Sequence, residues 1–156
     1  MEIKHNLIFF IILFCALFFE YTLNSFGIGG KVIPNFVMCI VFSFAYSSRP
    51  VPIWFVAIAV LIGESFFSTT PALMSVAILV LYFFITYIMP ITNKPYKNFD
   101  IISFMLITIV VYSLKILRIY TIDIEPDVFS ILLRMVVTII TFPLFYFSIQ
   151  KLVKLY

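Results

Sequence analysis

The sequence predicts an all-α integral membrane protein, with about six transmembrane helices in a single domain over residues 1–156. Three observations predict it. Hydrophobic residues make up 64% of the chain and charged residues 11%, and the mean hydropathy is +1.21. A soluble domain has too few polar residues to cover that much apolar surface. The apolar residues also fall in runs separated by short turns, which suits a bilayer core of about 30 Å needing about 20 helical residues per crossing. Finally, the basic residues fall mostly in alternate turns, which puts them on one side of the membrane as the positive-inside rule requires. The length leaves no room for a soluble catalytic or nucleic-acid-binding domain, so nucleic acid is not an expected partner.

The first span is expected over residues 7–23, broken by Asn24, Gly27, Gly29 and Gly30. Lys4 ahead of an apolar stretch resembles a signal peptide. No small-x-small cleavage site follows, and Glu20-Tyr21 stands where one is expected, so the span is read as uncleaved. Pro34 opens the second segment, 34–46, which is short enough to be either a crossing or a buried or re-entrant helix. Ser47 to Pro52 form a turn in which Pro50 and Pro52 stop helix continuation. The third span covers 53–67. Pro71, suited to the first turn of a helix, leads into the fourth, 72–89. A polar loop with Lys94 and Lys97 precedes the fifth span, 99–120. An acidic loop with Asp123, Glu125 and Asp127 precedes the sixth, 128–149.

With the N-terminus in the cytoplasm, Lys4, Arg49, Lys94, Lys97, Lys151 and Lys154 all fall inside, and Lys31 alone among the loop bases falls outside. That bias predicts both termini cytoplasmic. Tyr21, Tyr46, Trp54, Tyr87, Tyr120 and Tyr156 lie near span ends, where amphipathic rings favour the interface.

Five ionisable residues remain inside the spans: Glu20, Glu64, Lys115, Arg118 and Arg134. Each costs a few kcal/mol at mid-bilayer on insertion scales. The topology places all five in the outer half of the membrane. Two acids and three bases at similar depth can pair and lower each other's desolvation cost. Glu64, Lys115 and Arg134 are expected to form an inward-facing polar network or cavity. Glu20 and Arg118 stand closer to an interface, where they either join the network or reach water by snorkelling.

Recognisable enzyme sites are missing. His5 is the one histidine and stands near the N-terminus. Cys15 and Cys39 sit singly inside apolar runs and suit packing rather than a disulfide or metal site. The glycines at 27, 29 and 30 follow no strand and read as a loop. No enzyme activity, cofactor or metal is expected.

The stretch Pro34-Asn35-Phe36-Val37-Met38-Cys39-Ile40-Val41-Phe42, then Arg49-Pro50-Val51-Pro52, then Gly63-Glu64, then Thr70-Pro71-Ala72-Leu73 resembles the MreD family, the bacterial rod shape-determining membrane proteins. That family shows a proline opening a short second helix, an Arg-Pro…Pro turn, an acid ending the third helix and a Pro-Gly-Leu-like turn opening the fourth. Here Glu64 stands where the acid is usually Asp, and Ala72 where the turn has Gly. The resemblance implies a non-enzymatic scaffold subunit of the cell-wall elongation machinery in the bacterial inner membrane, controlling peptidoglycan synthesis and cell shape. The implied partners are an MreC-like single-span protein, the synthase of RodA and a class B penicillin-binding protein, and the MreB filaments. The implied fold resembles the six-helix substrate-binding subunits of energy-coupling-factor transporters, which supplies an alternative function, binding of a vitamin-type solute. Such subunits present a small-xxx-small stripe on the first helix, and the first span here has none.

Overall fold

The computed structural model describes residues 2–25, 33–47, 50–67, 73–88, 99–121 and 127–155. Among them are six α-helices and no strand: α1 (Glu2–Ser25), α2 (Phe36–Ala45), α3 (Ile53–Phe67), α4 (Leu73–Phe83), α5 (Phe99–Thr121) and α6 (Val128–Leu155). A π-helical turn, Phe84–Ile88, continues α4. Helices α1, α5 and α6 have 24, 23 and 28 residues. At about 1.5 Å per residue they run roughly 35–42 Å, beyond the roughly 30 Å of a bilayer core. These three are long and apolar enough to cross a membrane.

Two helices outrun their expected spans. α1 starts before residue 7 because Glu2, Lys4, His5 and Asn6 are polar without being helix breakers, and the His5 ring packs edge-on against Phe44 at 5.3 Å. α6 runs past residue 149 because Ile149 and Val153, one turn apart, are both buried and continue its inner face. The widened turn after α4 has no signal in the sequence. At its centre, Thr86 Oγ1 donates to the Tyr82 carbonyl at 2.8 Å, diverting a backbone acceptor.

α2 organises the bundle. It has 10 residues, about 15 Å of helix, and every one is buried. A helix apolar all round belongs inside, and α2 is packed by α1, α3, α4 and α6. Phe19 meets Phe36 and Phe9 meets Phe44, so α1 runs antiparallel to α2. Bonds from Asn35 to Thr138 and from Gln150 to Ser43 set α6 parallel to it. Phe42 reaches α5, edge-on to Phe104, which stacks on Phe142 of α6 at 3.6 Å. On α3, Gly63 lets the backbone approach α2: a Cβ there would stand 2.7 Å from Cγ2 of Val37. The outward faces are as apolar as the inner ones, with Leu7, Ile11, Phe14 and Phe18 of α1 and Phe129, Ile140 and Leu144 of α6 exposed. Helices whose outer faces are apolar need lipid, not water, around them.

Candidate functional site

A short helix enclosed in an apolar bundle has a problem at each end. Its first N–H groups and last C=O groups lack helical partners, and no water is at hand to satisfy them. Among the described residues, the buried polar side chains Glu20 and Thr138 lie near its start and Ser43, Ser47 and Ser103 near its end.

At the start of α2, Asn35 caps the helix: its Oδ1 accepts from Met38 N–H at 3.0 Å. Its own N–H donates to Thr138 Oγ1 of α6 at 2.9 Å. The Thr138 hydroxyl donates in turn to the Arg134 carbonyl at 2.7 Å. That uses its one proton, so the Tyr112 hydroxyl, 3.4 Å away on α5, is the donor of their contact. Cys39 Sγ, one turn into α2, donates to the Thr138 carbonyl at 3.7 Å. Thr138 therefore ties α2, α5 and α6 together at one point.

One turn back along α6, the Arg134 guanidinium donates through Nη2 to Oε1 of Glu20 on α1. The Glu20 side chain is 2% exposed and that of Arg134 16%. Glu20 is buried because it continues the inner stripe Phe9, Leu13, Leu17 of α1. α1 packs mainly on α2 and α3, and α6 mainly on α2 and α5, so the ion pair joins two helices that share little other surface. Arg134 Nε is buried with no hydrogen-bond partner among the described residues.

The end of α2 is closed by neutral groups. Tyr46 N–H donates to the Phe42 carbonyl at 3.1 Å, and the Ser47 N–H and hydroxyl both donate to the Phe44 carbonyl, at 3.1 and 2.7 Å. Gln150 Nε2 of α6 donates to the Ser43 carbonyl at 3.2 Å. Alongside, the Tyr46 hydroxyl donates to Ser103 Oγ at 2.8 Å, and the Tyr146 hydroxyl to Asp100 Oδ2 at 2.7 Å.

Of the five intramembrane charges, the structure brings Glu20 and Arg134 together. Of the two readings open for Glu20, pairing and snorkelling, its place on the inner stripe of α1 favours pairing and turns it away from the surface. Lys115 and Arg118 lie one turn apart on α5 and are both partly buried. Glu64 belongs to α3, and its side chain lies outside the described residues. So do Arg49 and Pro71. Pro34 is partly buried directly before the Asn35 cap, while Pro50 and Pro52 are exposed. The Pro52 carbonyl accepts from Phe55 N–H at 3.0 Å and starts α3. Reading the charges alone misses Asn35, Thr138 and Tyr112. Asn35 had a signal, an Asn just ahead of an apolar helical run. Thr138 and Tyr112 are uncharged residues within largely apolar helices and carried none.

The junction offers a carboxylate, a guanidinium, two hydroxyls and a thiol. Its chemistry is hydrogen bonding and charge neutralisation. Among the described residues no group of three His, Cys, Asp or Glu side chains is placed to hold a metal. Compared with known proteins, the chain matches no family model, no curated protein and no solved structure.

Proposed function

We propose that this chain is a non-enzymatic scaffold subunit of the bacterial cell-wall elongation complex, of the MreD type. The observation that carries the reading is the resemblance running from Pro34 through Pro71, in which the segment after Pro34 is a short helix wholly enclosed by its neighbours. An enclosed central helix suits a rigid core. It leaves the apolar outer faces of α1, α5 and α6 free to meet the membrane helix of an MreC-like partner, and through it the RodA and penicillin-binding protein synthase and the MreB filaments. Depletion in the native cell should cause rounding and loss of lateral wall synthesis, with an MreC-like protein recovered on affinity purification. Normal shape with loss of uptake of a vitamin would favour the transporter alternative. The first helix weighs against that alternative, because its exposed face carries Leu7, Ile11, Phe14 and Phe18 rather than small residues.

The proposed placement is the bacterial inner membrane, six crossings, both termini in the cytoplasm. α2, with 10 residues, spans about half a bilayer and is the shortest of the six proposed crossings. The Lys and Arg distribution supports the orientation. With single cysteines at Asn98 and Asp123 in a cysteine-free background, an impermeant thiol reagent applied outside should label position 123 alone. Labelling at 98 without 123 would overturn the topology.

A further inference from the structure

Pro143 divides α6 into two parts. Beyond it Ile149 and Val153 are buried and Gln150 bonds to the Ser43 carbonyl, while Leu144 and Phe147 point outwards. Ahead of it Phe129, Leu132, Val136 and Ile140 point outwards, Ile131 and Met135 pack against the core, and Phe142, next to the proline, stacks on Phe104. What fastens this arm to the start of α2 is polar: Arg134 to Glu20, Thr138 to Asn35 and Tyr112, and the Thr138 carbonyl to Cys39.

Three features loosen the helix between the two parts. Pro143 stands inside α6. It has no N–H for the carbonyl of Ile139, and its ring crowds the preceding turn. Thr138 and Thr141 turn their hydroxyls back onto the carbonyls of Arg134 and Val137, both at 2.7 Å. Such back-bonding competes with the helical ladder and bends helices. Arg134 Nε, moreover, is buried with no hydrogen-bond acceptor among the described residues and would gain one on exposure.

We propose that residues 128–142 of α6 form a gate over the start of α2, hinged at Pro143 and latched by the Glu20–Arg134 pair. Opening breaks the ion pair and the Asn35–Thr138 bond. It uncovers a buried carboxylate, the Asn35 N–H and the Cys39 thiol at one end of the bundle. The device is independent of which complex the protein serves.

Cys39 reports on the gate, because its thiol faces the Thr138 carbonyl beneath the arm and the residue is fully buried. The exposed Cys15 is removed as Cys15→Ser. The full chain is reconstituted in lipid nanodiscs and treated with a small uncharged maleimide, and labelling is followed by mass spectrometry. Glu20→Gln should raise the Cys39 labelling rate by about tenfold or more, by shifting the population of the open form. Reversing the pair, Glu20→Arg with Arg134→Glu, should return the rate towards the parent value. Pro143→Ala, which restores the missing N–H and leaves the latch intact, should slow labelling of the parent. A second reporter, Ser43→Cys in a Cys39→Ser background, sits at the other end of α2 and should stay protected in Glu20→Gln. The proposal is overturned by a Glu20→Gln rate equal to the parent's, or by equal labelling at position 43, which would mean general loosening. If Glu20→Gln does not fold, an unchanged rate in Pro143→Ala overturns the hinge.

Discussion

The two ends of α2 solve one problem with different chemistry. At its C-terminal end, two residues that follow the helix, Tyr46 and Ser47, and one amide from α6, Gln150, occupy the last carbonyls. All these groups are neutral. At its N-terminal end, Asn35 and Thr138 meet the backbone need, and an ion pair between α1 and α6 stands next to them. Neutral caps are local, and each removal leaves one orphan group. An ion pair out of water is different in kind: each partner's charge is tolerable only because the other is present. The C-terminal end is thus built to be permanent, while the N-terminal end depends on two residues that lie 114 positions apart in the chain.

The largest effect should come from splitting that pair. Glu20→Leu leaves the Arg134 guanidinium without its counter-charge and should destabilise the protein by about 3–5 kcal/mol. Glu20→Leu with Arg134→Met removes both charges and should recover most of the loss, because an apolar pair of similar volume is often neutral or better. Thermal unfolding in detergent, followed by fluorescence-detected size exclusion, measures both. If the double variant is as unstable as the single one, the pair is not the isolated unit described, and the contrast between the two ends weakens.

How much of this could be read from the sequence follows the same divide. The helices were legible because their signals are local: apolar runs, with Pro34, Pro52 and the turn residues between them. The third span, 53–67, coincides with α3, and the fifth differs from α5 by one residue at its end. The charges were legible too, since any ionisable residue in an apolar run stands out. Their pairing was not. Whether Glu20 faces water or the core depends on the rotation of α1 about its axis, and both faces of α1 are apolar. Phe9, Leu13 and Leu17 point in while Leu7, Ile11 and Phe14 point out. In a soluble helix polar residues would mark the outer face; in lipid nothing does. Thr138 was hidden for the same reason.

Gly63 presses on the first turn of α2 from α3. A methyl group there would meet Cγ2 of Val37 at 2.7 Å, and Val is stiff at χ1. Gly63→Ala should destabilise by about 1–3 kcal/mol through overpacking. Adding Val37→Ala should relieve it, as a shift in apparent melting temperature would record. Failure of that rescue would mean that the α3–α2 approach is not what limits residue 63, and that the N-terminal end of α2 is held by its polar contacts alone.

A smaller effect is expected at the cap itself. Asn35→Ala removes the acceptor of the Met38 N–H and should cost about 0.5–2 kcal/mol, whereas Asn35→Ser, still able to accept, should sit near the parent. The Asn35 N–H bond to Thr138 is a backbone bond and survives both changes. A loss from Asn35→Ala as large as that from Glu20→Leu would show that capping, not charge, dominates this end.

The smallest effect should be at the opposite end, and it tests the asymmetry most directly. The Ser43 carbonyl would ordinarily accept from Ser47 N–H, but that group turns to the Phe44 carbonyl as the helix tightens. Gln150 Nε2 takes its place at 3.2 Å. Gln150→Leu therefore orphans one neutral acceptor and should cost about 0.5–1.5 kcal/mol. Gln150→Glu should be worse than Leu, since a carboxylate has no proton to donate and brings a charge towards the carbonyl. Both are read by the same unfolding assay, against Glu20→Leu as reference. Equal losses from Gln150→Leu and Glu20→Leu would remove the distinction between a neutral end and an ionic one. A clearly smaller loss at Gln150, with Glu ranked below Leu, means that an orphaned hydrogen-bond acceptor limits this end, while at the other the limit is an uncompensated charge.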